Sequence, residues 1–167
     1  MEKAVALVNP RDALNQIRRW IGGRVATSYT RNGCRVSLAD LPRERVVLDV
    51  DLAFPTDIAV KAQCDLILFC IAQDCLVAVP MELKQGEVDA SDVVKQLQEG
   101  TRVVSQLVPR NVKTNCIPVL VHGSKRVQRR QNEKLKRSSV NFRGAKLPIQ
   151  TTRCGFEGNL ARALNIK

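Results

Sequence analysis

Two apolar runs, CDLILFCIA (64–72) and CLVAVPMELK (75–84), are separated by only Gln73 and Asp74. Neither alternates between polar and apolar positions, so if they are strands, protein must cover both of their faces. The two residues between them are enough for a short turn that pairs the runs. A central strand pair buried on both sides demands a sheet with a layer on each face.

The remaining segments can supply those layers. NPRDALNQIRRWIGG offers Asn9 as an N-cap, Pro10 at the first helical position and apolar Ala13, Leu14, Ile17 and Ile21 at helical spacing, which predicts a helix over 10–21. Asn32-Gly33, between runs rich in Val, Thr, Tyr and Ser, signals a tight hairpin. RVVLDVDLAF reads as a further strand or a linker into the core. DASDVVKQLQEGTRVVSQLV predicts a second helix, with Asp89 or Ser91 near its N-cap and Gly100 as its one unfavourable residue. CIPVLVHG reads as a short buried strand, SVNFRG and KLPIQTTR as strand-like pieces, and NLARALN as a short closing helix. The expected fold is α/β, a mixed sheet flanked by helices, with an N-terminal helix and hairpin. Without repeats, low-complexity tracts or a Gly/Ser linker, residues 1–167 read as one domain.

The chain carries 27 Lys and Arg against 16 Asp and Glu, a net charge of +11, which favours a polyanionic partner. Seven of the positive charges fall in one stretch: Lys125, Arg126, Arg129, Arg130, Lys134, Lys136 and Arg137, with Glu133 the single acid among them. A helix there would touch the body through Val127 and Leu135 and turn a basic face outward, either to make sequence-independent phosphate contacts or merely as a solvated surface. Aromatic residues make up only 4%, with Trp20 and Tyr29 the large ones bearing a polar handle, so contact with the backbone fits better than base stacking.

The six cysteines show neither a CxxC pair nor zinc spacing, and most lie in apolar runs where a thiol serves as a small core residue, so disulfides and zinc are not expected. The start MEKAVALVNPRD lacks a basic segment followed by a long apolar run, and no segment approaches the ~20 apolar residues of a membrane span. A reduced, cytoplasmic location without membrane contact is the expectation.

The chemistry concentrates where the second apolar run ends. Residues two apart on a strand share a face, so Glu82 and Lys84 point the same way and Leu83 points oppositely. Asp65, at the start of the first run, approaches Glu82 if the runs pair through Gln73-Asp74. Two neighbouring carboxylates repel unless a cation lies between them, and a hard divalent ion such as Mg²⁺ suits oxygen ligands. Such an ion polarises a phosphodiester oxygen and lowers the pKa of water, while an ammonium positions that water or offsets negative charge. Pro80 cannot donate to a ladder, which predicts a bulge or an irregular stretch just before Glu82.

These residues, CDLILFCIAQDCLVAVPMELK with the following SDVVKQLQEG, resemble the PD-(D/E)xK nuclease superfamily, the restriction-endonuclease-like fold. The resemblance covers about Asp65 to Gln98. It implies a restriction-endonuclease-like core, Asp65 and Glu82 as metal ligands joined by the carbonyl of Leu83, and Lys84 as the group that orients the attacking water. It further implies a polar residue on the next helix, which Gln96 supplies, with Gln98 as an alternative. Cys64 stands in place of the motif's proline, and the first helix offers Asp12 but no interior glutamate, which leaves a second metal open.

The expected activity is therefore Mg²⁺-dependent endonucleolytic hydrolysis of DNA, with Mn²⁺ as a substitute and RNA left open as a substrate. A catalytically silent nucleic-acid-binding or assembly module, and a subunit active only as a homodimer or with a partner protein, are the alternatives. His122, the only histidine, ends its strand where it could face the same crevice as a proton donor, although a structural or surface role is the plainer reading. A serine or cysteine hydrolase and a P-loop enzyme are disfavoured, because neither a GxSxG turn nor a P-loop is present.

Overall fold

The structure is a computed structural model that describes residues 6–54, 63–123, 127–155 and 158–166. Helix α1 (Pro10–Ile21) starts where Asn9 accepts a hydrogen bond from Arg11 N. Strands β1 (Thr30–Arg31) and β2 (Cys34–Arg35) form the small hairpin, turned by Asn32 and Gly33 at φ 52° and 80°. Strand β3 (Arg45–Asp49) runs into the single turn α2 (Val50–Ala53), capped by the Asp49 side chain on Leu52 N. Strands β4 (Leu66–Ala72) and β5 (Cys75–Lys84) follow, with Gln73 and Asp74 both at positive φ between them. Helix α3 (Ala90–Leu107) takes Asp89 as its N-cap.

The second half holds β6 (Thr114–Cys116), β7 (Val119–His122), α4 (Arg129–Arg137), β8 (Ser139–Phe142), β9 (Ala145–Pro148), β10 (Gln150–Arg153) and α5 (Asn159–Leu164). The main sheet has the order β10-β7-β5-β4-β3, with β6 also beside β5. Strand β4 is antiparallel to β3 and β5, whereas β6 and β7 are parallel to β5, and β10 to β7. The sheet is therefore mixed. One face packs on α1 and α3 through Leu14, Ile17, Val93 and Leu97; the other packs on the β1-β2 hairpin and α5 through Cys34, Val36 and Leu160. Both apolar runs thus lie in the middle, covered on each side, as their composition requires. Among the described residues no helix is long and apolar enough to cross a membrane.

Four expectations need correction. The strand expected over CIPVLVHG is two, because Pro118 has no N–H to offer and the chain jogs at Ile117-Pro118. KLPIQTTR also divides: β9 pairs with β8 in a separate hairpin, whereas β10 joins the main sheet. Pro80 does not bulge β5, since the register passes through it as Ile67 opposite Pro80; the irregularity lies one step on and in the partner strand, where Leu66 pairs with Met81 and Asp65 N also donates to Met81 O. The missing donor of Pro80 coincides with the gap on the other side, between the end of β6 at Cys116 and the start of β7 at Val119.

The fourth correction concerns the cysteines. Cys34 and Cys154 form a disulfide with Cα atoms 5.3 Å apart. The hairpin folds over the sheet so that Gly155 N donates to Arg35 O at 2.8 Å, bringing together residues 120 apart in the chain. The expectation of a reduced compartment loses its cysteine argument. Thiol titration of the unfolded, unreduced chain should count the four free cysteines, Cys64, Cys70, Cys75 and Cys116, with two more appearing after reduction; six without reductant would exclude the bond.

Gly100 has a structural reason to interrupt α3. A Cβ there would lie 2.7 Å from both Cys64 Sγ and Pro80 Cβ, so the glycine lets the helix settle onto the start of β4 and the middle of β5. Gly100→Ala gains about 1 kcal/mol of helix propensity but overpacks a rigid contact at a cost of about 1–3 kcal/mol. Its net effect in denaturant unfolding should be destabilising by up to about 2 kcal/mol, and a stabilised variant would show that the contact yields.

Candidate active site

The register of β4 against β5 decides the site. Leu66 pairs with Met81 and Asp65 N also donates to Met81 O at 3.0 Å, so the chain enters β4 with Asp65 beside Glu82, close enough for their carboxyls to hydrogen-bond. Along β5, Leu76 and Ala78 belong to the face under α1 and α3, while Val77, Val79, Met81 and Leu83 belong to the opposite face. By the period of two, Glu82 and Lys84 lie on the α1/α3 face with Asp65, and Leu83 on the other.

Asp65 is tied down by its neighbour strand: Leu83 N donates to Asp65 Oδ2 at 2.8 Å. A residue's N–H and carbonyl leave a strand on the same edge, so the Leu83 carbonyl also faces the β4 side, beyond the point where β4 begins. Glu82 is only 3% exposed, and its Oε2 is buried without a hydrogen-bond partner. Its carboxyl is pushed up to about 10, first by burial, then by a hydrogen bond to the Asp65 carboxyl and by the Asp65 charge; Lys84 and the Leu83 N–H act against this. Burial and the neighbouring Asp65 charge thus favour the protonated form of Glu82.

The surroundings add groups that sequence reasoning missed. Asp51 on α2 has its carboxyl raised by partial burial, then by the charges of Asp65 and Asp49, with Arg31 opposing. Arg31, on the tip of the β1-β2 hairpin, forms a half-buried ion pair with Asp49. The only signal for these was the pair Asp49 and Asp51 in LDVDLA, and the turn into α2 at Val50 breaks the strand parity that would have placed them. The oxygen Oε1 of Gln63, two residues before Asp65, is also buried without a partner.

Helix α3 packs against β5 and presents Gln96, whose Oε1 is buried and unpartnered. Gln98 is committed elsewhere: Nε2 donates to Asn141 O at 2.9 Å and Oε1 accepts from Asn141 N at 2.8 Å, fastening α3 to β8. That leaves Gln96 as the polar side chain of this helix with unmet capacity. His122 is the register partner of Lys84 on the adjacent parallel strand and therefore shares its face. Gly123 N donates to Lys84 O at 2.8 Å, fixing the end of β5.

The basic stretch forms α4 as far as it is described, with Leu135 buried and Val127 packed on the core. Arg129, Arg130, Lys134, Lys136 and Arg137 are exposed; Lys125 and Arg126 lie outside the described residues. The helix is fastened beside the start of α3, where Gln131 Oε1 accepts from Ala90 N at 2.8 Å and Lys134 Nζ donates to Ser91 Oγ at 2.6 Å. Arg129 is paired with Glu133 at 3.2 Å.

Two carboxylates and a main-chain carbonyl are hard oxygen donors, a set that suits Mg²⁺ or Mn²⁺. Among the described residues no three His, Cys, Asp or Glu side chains gather closely enough to hold a metal by themselves, so a carbonyl and waters would have to complete the shell. No family model matches the chain, and no curated protein or solved structure matches it.

Glu82 also makes stability depend on pH. Its folded value of about 10 lies above the ordinary 4.5, so this contribution is complete below about pH 4.5 and is lost as pH rises toward 10. Glu82→Gln removes that titration. Its unfolding midpoint in EDTA should exceed wild type by several degrees at pH 8, with the gap closing as pH falls to 4.5. A variant no more stable than wild type at pH 8 would mean that Glu82 is ionised in the fold.

Proposed function

We propose that this chain is a metal-dependent nuclease that hydrolyses DNA phosphodiester bonds at Asp65, Glu82 and Lys84. The carrying observation is the buried Glu82 carboxyl placed beside Asp65, with an unpartnered oxygen and with Lys84 on the same face. A purely structural role would not leave a carboxyl in that position, because burying it raises the energy of its charged form and a neutral side chain would pack there more cheaply. The resemblance of CDLILFCIAQDCLVAVPMELK to the PD-(D/E)xK motif, and the packing of α3 behind β5, support the restriction-endonuclease-like reading of the mixed sheet.

Asp65, Glu82 and the Leu83 carbonyl would hold Mg²⁺, with Mn²⁺ as a substitute. Bound there, the ion supplies Lewis-acid polarisation of a phosphate oxygen and a more acidic water. Lys84 orients the attacking water and offsets charge that develops on the phosphate. Gln96 offers its buried amide oxygen as a further acceptor near the end of β5. The exposed cations of α4 contact the flanking phosphates without reading sequence.

The test is cleavage of supercoiled plasmid, linear duplex, single-stranded DNA and RNA, with Mg²⁺, Mn²⁺ or EDTA. Wild type should cut with either metal and stop in EDTA. Asp65→Ala and Glu82→Ala should abolish cutting, and Lys84→Ala should slow it by about a hundredfold or more. Cutting that survives Glu82→Ala, or no cutting of any substrate by folded wild type, would overturn the reading. The second result would favour a silent binding module or a partner-dependent subunit.

A further inference from the structure

The outer edge of β3 carries charge that the site above does not use. Arg18 from α1, Tyr29 from the segment before β1, Arg43, and Arg45 at the start of β3 line an open groove of about 410 Å³, with Val25, Val46 and Val47 also in its lining. Three guanidinium groups share this groove and no carboxylate lines it. The acid next in the chain, Glu44, is taken by Arg11 at 3.0 Å.

Four arginines of the described residues are ion-paired, Arg11 with Glu44, Arg31 with Asp49, Arg102 with Glu99 and Arg129 with Glu133, and none of the groove arginines is among them. The groove arginines are instead held by neutral groups. Arg45 Nη1 donates to the carbonyls of Leu41 and Pro42 at 3.3 and 3.1 Å, and Arg18 Nη1 donates to Asn15 Oδ1 at 3.0 Å. Like charges fixed near one another repel, and an anion reaching all of them relieves that repulsion. Guanidinium forks match phosphate oxygens, and a tyrosine hydroxyl adds a neutral donor.

Strand β3 leads from this groove to the candidate active site. Arg45 and Asp49 are four residues apart, about 13 Å along a strand, and Asp49 pairs with Leu66, the neighbour of Asp65. At 3.4 Å per step along a duplex axis, that span is about four nucleotides. We propose that Arg18, Tyr29, Arg43 and Arg45 form a phosphate-binding track for a nucleic-acid backbone, about four nucleotides from the phosphate cut at Asp65 and Glu82. The track rests on the nuclease reading for the position of the cut, whereas its phosphate contacts do not.

Arg18 and Arg43 are exposed, so Arg18→Gln/Arg43→Gln leaves the fold and the anchored Arg45 in place. Binding to a labelled DNA duplex is measured in EDTA across a salt series. The slope of log K against log salt should become shallower by about 1.8 relative to wild type, the loss of two phosphate contacts. Lys113→Gln/Lys146→Gln, with the same charge removed from two exposed positions outside the groove, should keep the wild-type slope. Equal slopes in the two double variants, or no binding by wild type, would overturn the track.

Cleavage with Mg²⁺ is scored separately, so the two readings can fail independently. Unchanged slopes together with cutting that Glu82→Ala abolishes would remove the track and keep the nuclease. A shallower slope in a chain that cuts nothing would keep the phosphate contacts and remove the nuclease.

Discussion

The antiparallel pairing of β4 with β5 is the constraint on which the rest depends. Its hydrogen bonds run from Ala72 opposite Cys75 to Leu66 opposite Met81, and every side chain on the two strands inherits its face from that register. A slip of one residue would turn Glu82 and Lys84 to the hairpin side and Leu83 toward α3. The apolar residues on both faces forbid that slip, because it would exchange two differently shaped cores. Packing thus fixes the register, and the register fixes which polar groups meet at the strand ends.

Those polar groups sit where the fold would be more stable without them. Glu82 is buried with its carboxyl pushed up to about 10, beside a second carboxyl and an ammonium, in a sheet end otherwise built from Leu, Val and Met. Local departures from the rule that buried groups are apolar or fully paired concentrate at functional sites. Gln63, two residues before Asp65, also has a buried amide oxygen lacking a partner, as does Gln96 on α3.

The elements governed by local chemistry were legible in the sequence. Asn9, Pro10 and the apolar spacing of α1 placed both of its ends, and Asn32-Gly33 and Gln73-Asp74 marked turns that the structure makes with positive φ. Asp65, Glu82 and Lys84 were legible because a short hairpin makes distance in sequence predict distance in space. What was illegible depends on long-range placement. Nothing near Cys34 points to Cys154, and nothing in LDVDLA shows that the chain turns at Val50 and brings Asp51 beside Asp65. Pro80 misled because its missing donor was taken to disturb β5, whereas the neighbouring strand pair had already broken at Pro118. The groove on β3 draws on residues 18, 29, 43 and 45, which only the fold brings together.

Charge distribution links these parts. The chain bears a net +11, yet the partly buried Asp49 and Asp65, the buried Glu82 and the exposed Asp51 lie together at one end of the sheet. On the proposed nuclease reading, that end fully ionised would repel an approaching polyanion. A proton on Glu82, and the Arg31 ion pair on Asp49, remove part of that negative charge, so the positive field of α4 and of the β3 edge can act on a phosphate. A divalent ion in place of that proton would cancel the charge of both carboxylates. If a cation binds as proposed, the high affinity of Glu82 for its proton sets the threshold it must meet, so raising the pH would favour the cation and weaken the metal-free fold by one and the same ionisation.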